Sequence, residues 1–553
     1  MSGAAEIVAA VDGGLLMRHC EEFAKRIKLS GTPEEKESFL YLKGCLESYG
    51  CRTELLEHDA YISLPGPSHV EVQGKPLFSI THSFSRPTPA GGLTAPVVDV
   101  GDGDPRDFAR QDCRGRIVLV NGIASPAAAA RAKAAGAAGQ LHVSPHEHLH
   151  EMCISPVWGN PSTETLAEMP ATVACTISLA DGEALRAQLA QSAGLAVRLH
   201  AEVDTGWRKT PLLVGDIEGP QGKDSPFVLL SGHHDTWYYG VMDNGSANAT
   251  MLEAVRLLAT GAKTLRRGLR VCFWSGHSHG RYSGSAWYVD QNWRDLDQRC
   301  VAHVNVDSTG GIGATVMTEN GVVSSLAGLA AEVTLAETGQ QHRGHRPSRS
   351  SDQSFWGIGI PSMYGSISHQ PPAPVKMRNA LGWWWHTPHD LLDKVDREFL
   401  VRDTRVVVHT LARLLTDRVL PLDPTAQLAT LTRELAAIGP VVPPGLVASV
   451  DECAALVAQL TSASPADEAA CGKLNEQLVR MSRLLMPLDY TEGDRFRHDP
   501  ALPQPAWPVL GPLRALAAAK PGTDQARFLA VGAARAANRL LAAMDGLSAL
   551  LRG

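Results

Sequence analysis

Three runs constrain the fold more than any other feature of the chain: Phe227-Val-Leu-Leu-Ser, Leu269-Arg-Val-Cys-Phe-Trp and Val301-Ala-His-Val-Asn-Val. A strand with one face in water alternates polar and apolar residues. These runs are almost continuously apolar, which predicts strands covered on both faces, the habit of parallel sheets. Ala247–Thr260, between the first two runs, has helical periodicity. Strands alternating with helices predict an α/β fold with a mostly parallel central sheet and helices on both faces. In such sheets the chemistry gathers outside the carboxyl ends of the strands.

At 553 residues the chain is too long for one core. Residues 1–55 read as two helices, Glu6–Ile27 and Pro33–Tyr49, packing on the sheet domain. Residues 56–206 read as a β-rich insert of short strands punctuated by Gly and Pro, such as Val97-Val-Asp-Val and Arg116-Ile-Val-Leu-Val. The sheet domain is expected over 207–420. Beyond it, Ala426–Ile438, Leu446–Leu460, Asp467–Leu485 and Asp524–Leu551 read as a helical bundle over 421–553. A formal charge of -7 leaves no basic footprint for nucleic acid. The apolar runs are too short to span a bilayer. The N-terminal stretch reads as an amphipathic helix rather than a signal peptide. The ten cysteines include no CxxC pair, which suits reduced thiols and a cytoplasmic setting.

Five short segments place acids and histidines at the expected strand ends: Ser231-Gly-His233-His234-Asp235, Met242-Asp243-Asn244-Gly245, Gly276-His277-Ser278-His279-Gly280, Asn305-Val-Asp307-Ser308 and Trp385-His386-Thr-Pro-His389-Asp390. A lone histidine in a chain with 21 of them is ordinarily structural. Five such segments around one sheet point instead to a metal centre, since imidazole and carboxylate are the donors zinc favours.

Together these segments resemble the co-catalytic zinc aminopeptidases, in the branch that contains glutamate carboxypeptidase and the transferrin receptor. Ser63-Leu-Pro-Gly-Pro and Gly115-Arg-Ile-Val-Leu-Val are similar to that branch's protease-associated domain, and the C-terminal helices to its dimerisation domain. The resemblance implies a first metal on His233 and Asp307. It implies that Asp243 bridges to a second metal held by His386, with Asp235 orienting His233. It also implies a homodimer through the C-terminal helices.

The family's peptidases carry two adjacent glutamates after the second of these strands, one the general base and one a metal ligand. Here the segment is His277-Ser278-His279, with no carboxylate. In an extended turn residues i and i+2 face the same way. On that basis His279 is expected as the replacement ligand and His277 as the proton acceptor. Ser351-Asp352-Gln353 stands where the family often has an SDH segment, so Asp352 joins the expected substrate contacts. Arg281 is the nearest cation, and Tyr238, Tyr239 and Trp385 would wall a small substrate. The cofactor expected is a divalent metal, zinc first, as one or two ions; the added imidazoles also suit Fe, Mn, Ni or Cu. The expected activity is metal-dependent hydrolysis of an amide or peptide-like bond in a small-molecule or short peptide-like substrate. Two alternatives stay open: a repurposed metalloenzyme catalysing deamination, a lyase step or an oxidation, and a non-catalytic binding relative.

Overall fold

The computed structural model describes residues 2–192, 194–373 and 379–552. In chain order its strands are β1 (Arg52–Val72), β2 (Lys75–Phe78), β3 (Ile80–Thr81), β4 (Leu93–Asp99), β5 (Ile117–Asn121), β6 (Gly139–Val143), β7 (Val173–Ile177), β8 (Ala196–Ile217), β9 (Phe227–His233), β10 (Gly268–Trp274), β11 (Cys300–Asp307) and β12 (Ser362–Ser366). The order β12-β11-β9-β10-β8 forms the central sheet. β9 to β12 are mutually parallel, with Trp274 beside His233 and Asp307 beside Ser366. β8 closes this half antiparallel to β10.

The apolar runs are explained by how the strands divide their side chains. Val228, Leu230, Val271 and Phe273 enter a core with the helices Gly13–Phe23, Pro33–Ser48, Ala247–Thr260 and Arg397–Thr416. Their neighbours Phe227, Leu229, Cys272 and Trp274 enter a second core on the other face, with Tyr288 and Leu296 of the helix Ser283–Arg299. A period of two with both faces buried leaves few polar positions, and those present are paired, as Ser231 is with His303.

The insert is joined to this sheet through unbroken strands. β1 and β8 pair antiparallel from Arg52↔Asp216 to Val72↔Val197, with a bulge between Pro65 and Ser68. Positions 56 and 206 therefore fall inside strands rather than in linkers. The far end of β8 pairs with β4, and β4-β5-β6-β7 continue as a parallel set edged by antiparallel β3.

Three elements differ from the sequence expectation. The first predicted helix is split into Ser2–Ala9 and Gly13–Phe23. Asp12 between them caps the second piece, accepting from Gly14 N and Leu15 N, and its own N–H reaches Glu253 Oε1 at 2.8 Å. The helix Arg397–Thr416, capped by Asp396, packs along the central sheet. A further helix, Gly511–Ala518, joins the C-terminal group. That group has its own core around Leu428, Val450, Leu485, Trp507 and Leu540. Its helix Glu468–Tyr490 also sends Leu474, Leu478, Met486 and Tyr490 into the core of the sheet. Among the described residues no helix is long and apolar enough to cross a membrane.

Gly232, just before His233, has no room for a side chain. A Cβ there would lie 2.6 Å from the carbonyl of Val306 and 2.8 Å from Met251 Sδ. Gly232→Ala is expected to cost about 1–3 kcal/mol by forcing β9 away from β11. Denaturant unfolding checks this; a midpoint equal to wild type would show that the strands move apart freely.

Candidate active site

His233 ends β9, Asp307 ends β11, and the Gly276–Gly280 turn follows β10, so parallel pairing alone brings them to one edge. Asp243 lies in the short segment Val241–Ser246 that enters the helix Ala247–Thr260. Asn244 ties this segment to the strand ends. Its amide donates to the carbonyls of His233 and Val306, and its oxygen accepts from Ser308 N. His386 arrives on the loop after Trp383-Trp384-Trp385. Positive-φ residues without glycine's freedom collect here: Tyr238, Arg281, Tyr282, Ser308, Ser351, Asp352 and His386. Such strained backbone is held where surrounding structure dictates the position of a side chain.

His233 Nε2 lies 3.1 Å from Asp243 Oδ1 and 3.6 Å from Asp307 Oδ1, and His386 Nε2 lies 3.0 Å from Asp243 Oδ2. Each ring is oriented through Nδ1 by a main-chain carbonyl: Asp235 O for His233 at 2.8 Å, and Glu151 O for His386 at 2.7 Å. A carbonyl accepts only, so both Nδ1 atoms carry a hydrogen and both Nε2 atoms are turned to the acids, the orientation of metal-binding histidines. Burial opposes charge on His233, but the hydrogen bonds and charges of Asp243 and Asp307 outweigh it and hold the ring well above its ordinary range. Burial also opposes the Asp243 carboxylate, yet its contacts with His233 and His386 keep it below the usual carboxylate range. Ser351 Oγ donates to Asp307 Oδ2 at 2.7 Å.

His277 stands against His233 with ring centroids 3.7 Å apart and planes at 14°. One ring nitrogen of each and a carboxylate oxygen of Asp307 lie within 4.8 Å of one another. Stacked rings aim their lone pairs side by side. His277 thus stands beside the His233–Asp307 pair, among the groups that could hold an ion. His277 Nδ1 contacts Asp352 Oδ2 at 2.7 Å, and Asp352 Oδ1 accepts from Ser285 Oγ at 2.7 Å. Asp352 is thus buried behind His277 rather than facing substrate.

His279 is not brought into this cluster. It is fully buried, with Nδ1 3.0 Å from Ser30 Oγ, its ring on Trp237 and Nε2 without a partner. Burial pushes it down to about 4. Ser278 lines the cavity instead, and its buried hydroxyl has no partner. The Asp235 carboxylate does not orient the His233 ring, standing 3.8 Å from Nδ1. It accepts from Ser30 Oγ, His277 N and Ser278 N, and so fixes the His-Ser-His turn. Asp390 accepts from Met242 N and Asp243 N, fixing the other acid.

The cavity over these groups holds about 550 Å3. Trp237, Ser278, Trp385 and His386 line it from the sheet domain, Gly122–Ala127 from the insert and Ala501–Pro503 from the C-terminal region. Trp385 stacks on His386 at 3.6 Å, as a wall. Tyr238 and Tyr239 are not among the lining residues: Tyr238 bonds to Glu151, and Tyr239 is exposed, its carbonyl accepting from Lys28. Arg281 lines the cavity but spends its donors on the carbonyls of Cys153 and Ser155, tying the insert to the turn. His150 and Glu151 of the insert steady the opposite wall. His150 Nδ1 meets the Trp385 carbonyl at 2.5 Å, and Glu151 N donates to that of His386.

Residues 213–411 match the family model of peptidase family M28. Over that stretch the chain is similar to the M28 peptidases. Among curated proteins, a probable glutamate carboxypeptidase of Zea mays is 23% identical over 346 residues, covering 50% of this chain and 48% of that protein. An aminopeptidase of Bacillus subtilis is 25% identical over 395 residues, covering 68% of this chain and 78% of that protein. The chain spans about half the length of the probable glutamate carboxypeptidases it matches. Among solved structures, an aminopeptidase from Aneurinibacillus sp. strain AM-1 superposes with a TM-score of 0.57 at 20% identity, covering 74% of this chain and 96% of that one. A zinc aminopeptidase from Bacillus subtilis gives 0.56 at 21%, with the same coverage. The matched stretch spans every strand end described above, from β9 to the His386 loop.

Proposed function

We propose that the chain is a metal-dependent hydrolase of amide or peptide-like bonds in small substrates. Carrying this reading is the convergence of His233, Asp243, Asp307 and His386 at the floor of a walled cavity, both imidazoles turned so that Nε2 faces the acids. Two carboxylates and two imidazole nitrogens form the donor set of a divalent zinc-type ion. His233, Asp243 and Asp307 would hold a first ion. A second, on Asp243 and His386, would lack the carboxylate of the ordinary peptidase pair, since the turn offers the neutral Ser278 to the cavity, and would be held more weakly. When bound, such an ion polarises a carbonyl and lowers the pKa of water.

The chain's own residues supply the rest. Asp352 accepts the Nδ1 hydrogen of His277, leaving Nε2 of this ring, beside the cluster, as the acceptor for the proton of the attacking water. His277 then returns it to the leaving amine. The roof from the insert and from Ala501–Pro503 limits the size of the substrate and keeps bulk water out. Peptide names among the M28 relatives support short peptides as the first substrates to try.

Metal analysis of dialysed protein is expected to give close to one zinc per chain, with Asp243→Ala giving none. Hydrolysis of leucine p-nitroanilide and a dipeptide panel should stop with chelator and return with zinc. Protein that binds no divalent ion under any loading condition would sink the proposal.

A further inference from the structure

A second cavity, of about 700 Å3, opens at the opposite pole of the sheet from the metal ligands. Pro226 and Val301, at the amino ends of β9 and β11, lie on one side of it. The helix Glu468–Tyr490 forms the other wall. Six arginines line it, Arg266, Arg267, Arg299, Arg418, Arg480 and Arg483, against three carboxylates, Asp297, Glu468 and Glu476.

These carboxylates are already engaged. Glu468 lies 2.7 Å from Arg266 and 2.8 Å from Arg418, and Glu476 is 2.5 Å from Arg480. Asp297 is 2.6 Å from Arg495 and 3.7 Å from Arg483. Arg299 has its own partner outside the lining, Asp295. Arg267 has no carboxylate: 5% exposed, it donates to the carbonyls of Leu414 and Asp417, and burial pushes it down to about 10. Arg483, with Asp297 only at 3.7 Å, spends its donors on the carbonyls of Leu296, Gly359, Cys300 and Asp297. Neutral carbonyls satisfy the donors without balancing the charge. In a recess of reduced dielectric an anion gains most beside such groups.

We propose that this cavity binds a polyphosphate-bearing anion, held between the sheet domain and the helix Glu468–Tyr490. Six arginines from both walls line one recess, which suits an anion with oxygens on several centres better than a single carboxylate. The volume falls within the ordinary range for small-ligand sites, roughly 300–1,000 Å3. A bound polyanion bridges both walls and stabilises their contact, since a ligand of the folded state alone raises stability.

Calorimetric titration of the full chain with inorganic pyrophosphate and with ATP, at low salt, tests this. Saturable binding with one pyrophosphate per chain and a raised Tm is expected. Arg418→Glu and Arg480→Glu change exposed rim positions and should each weaken binding by about tenfold or more. Both variants should hydrolyse leucine p-nitroanilide as wild type does, because neither residue touches the site. Tighter binding of ATP than of pyrophosphate identifies a nucleotide as the source; equal binding identifies free polyphosphate. Sulfate binding as tightly, affinity unmoved by both charge reversals, or no saturable binding of either probe would overturn the proposal.

Discussion

His277→Ala is expected to lower kcat by about 10²–10⁴, the range for loss of a positioned proton acceptor, with KM and zinc content close to wild type. The split between kcat and metal content decides the assignment. His277 stacks with its ring centroid 3.7 Å from that of His233 and is held by Asp352, so removing it leaves His233, Asp243 and Asp307 in place. Loss of zinc together with activity would make it a ligand and refute its role as base. Asp352→Asn should act through the same ring. Asn keeps an oxygen for His277 Nδ1 and turns its amide toward Ser285, whose hydroxyl can accept, so packing is preserved. Only the carboxylate's support for a protonated ring is lost. A fall in kcat of about tenfold to a hundredfold is expected, and unchanged kcat would remove Asp352 from the proton path.

The reading of His277 and His279 from sequence shows where pattern ends and backbone begins. His233 and Asp307 were legible because they terminate strands whose double-sided burial is written as continuous apolar runs, whereas Asp243, at a helix entry, and His386, on a loop, were marked only by the acids and histidines of their own segments. The i, i+2 rule then placed both histidines of the turn toward the site. That rule holds for extended backbone, and residues 275–280 form bends and turns, with Gly276 at φ 75° and positive φ again at Arg281 and Tyr282. The turn sends His277 and Ser278 to the cavity and His279 behind it, onto Ser30. Ser30 lies 205 positions before the Asp235 it bonds and has no local signature. Glu151, which orients His386, acts through its carbonyl, so no side-chain motif could announce it. Tyr238 and Tyr239 were adjacent to the right segment, yet the left-handed residue at Tyr238 turns the chain so that Trp237 alone of the three lines the cavity. Asp390 was visible in His-Thr-Pro-His-Asp, but its task depends on two N–H groups nearly 150 positions away.

Asp390→Ala should therefore damage the site more than its distance from the chemistry suggests. The carboxylate is 2% exposed and accepts from Met242 N at 2.9 Å and Asp243 N at 3.0 Å. Burial and the neighbouring Asp243 charge raise it to about 7, while these two backbone bonds and Lys28 work in the opposite direction. Its removal strands two buried N–H groups at about 1–3 kcal/mol each, so a loss of about 2–5 kcal/mol in denaturant unfolding is expected. The segment Val241–Ser246 is then free to shift the carboxylate shared by His233 and His386. Zinc affinity should fall by about 10–100-fold. Asp390→Asn separates the two effects. Its single oxygen can serve one N–H while its amide faces the other, so about half the stability loss should remain with no cavity created. Wild-type stability and zinc affinity in Asp390→Ala would mean that Asn244, through its bonds to the His233 and Val306 carbonyls, fixes the bridging acid by itself.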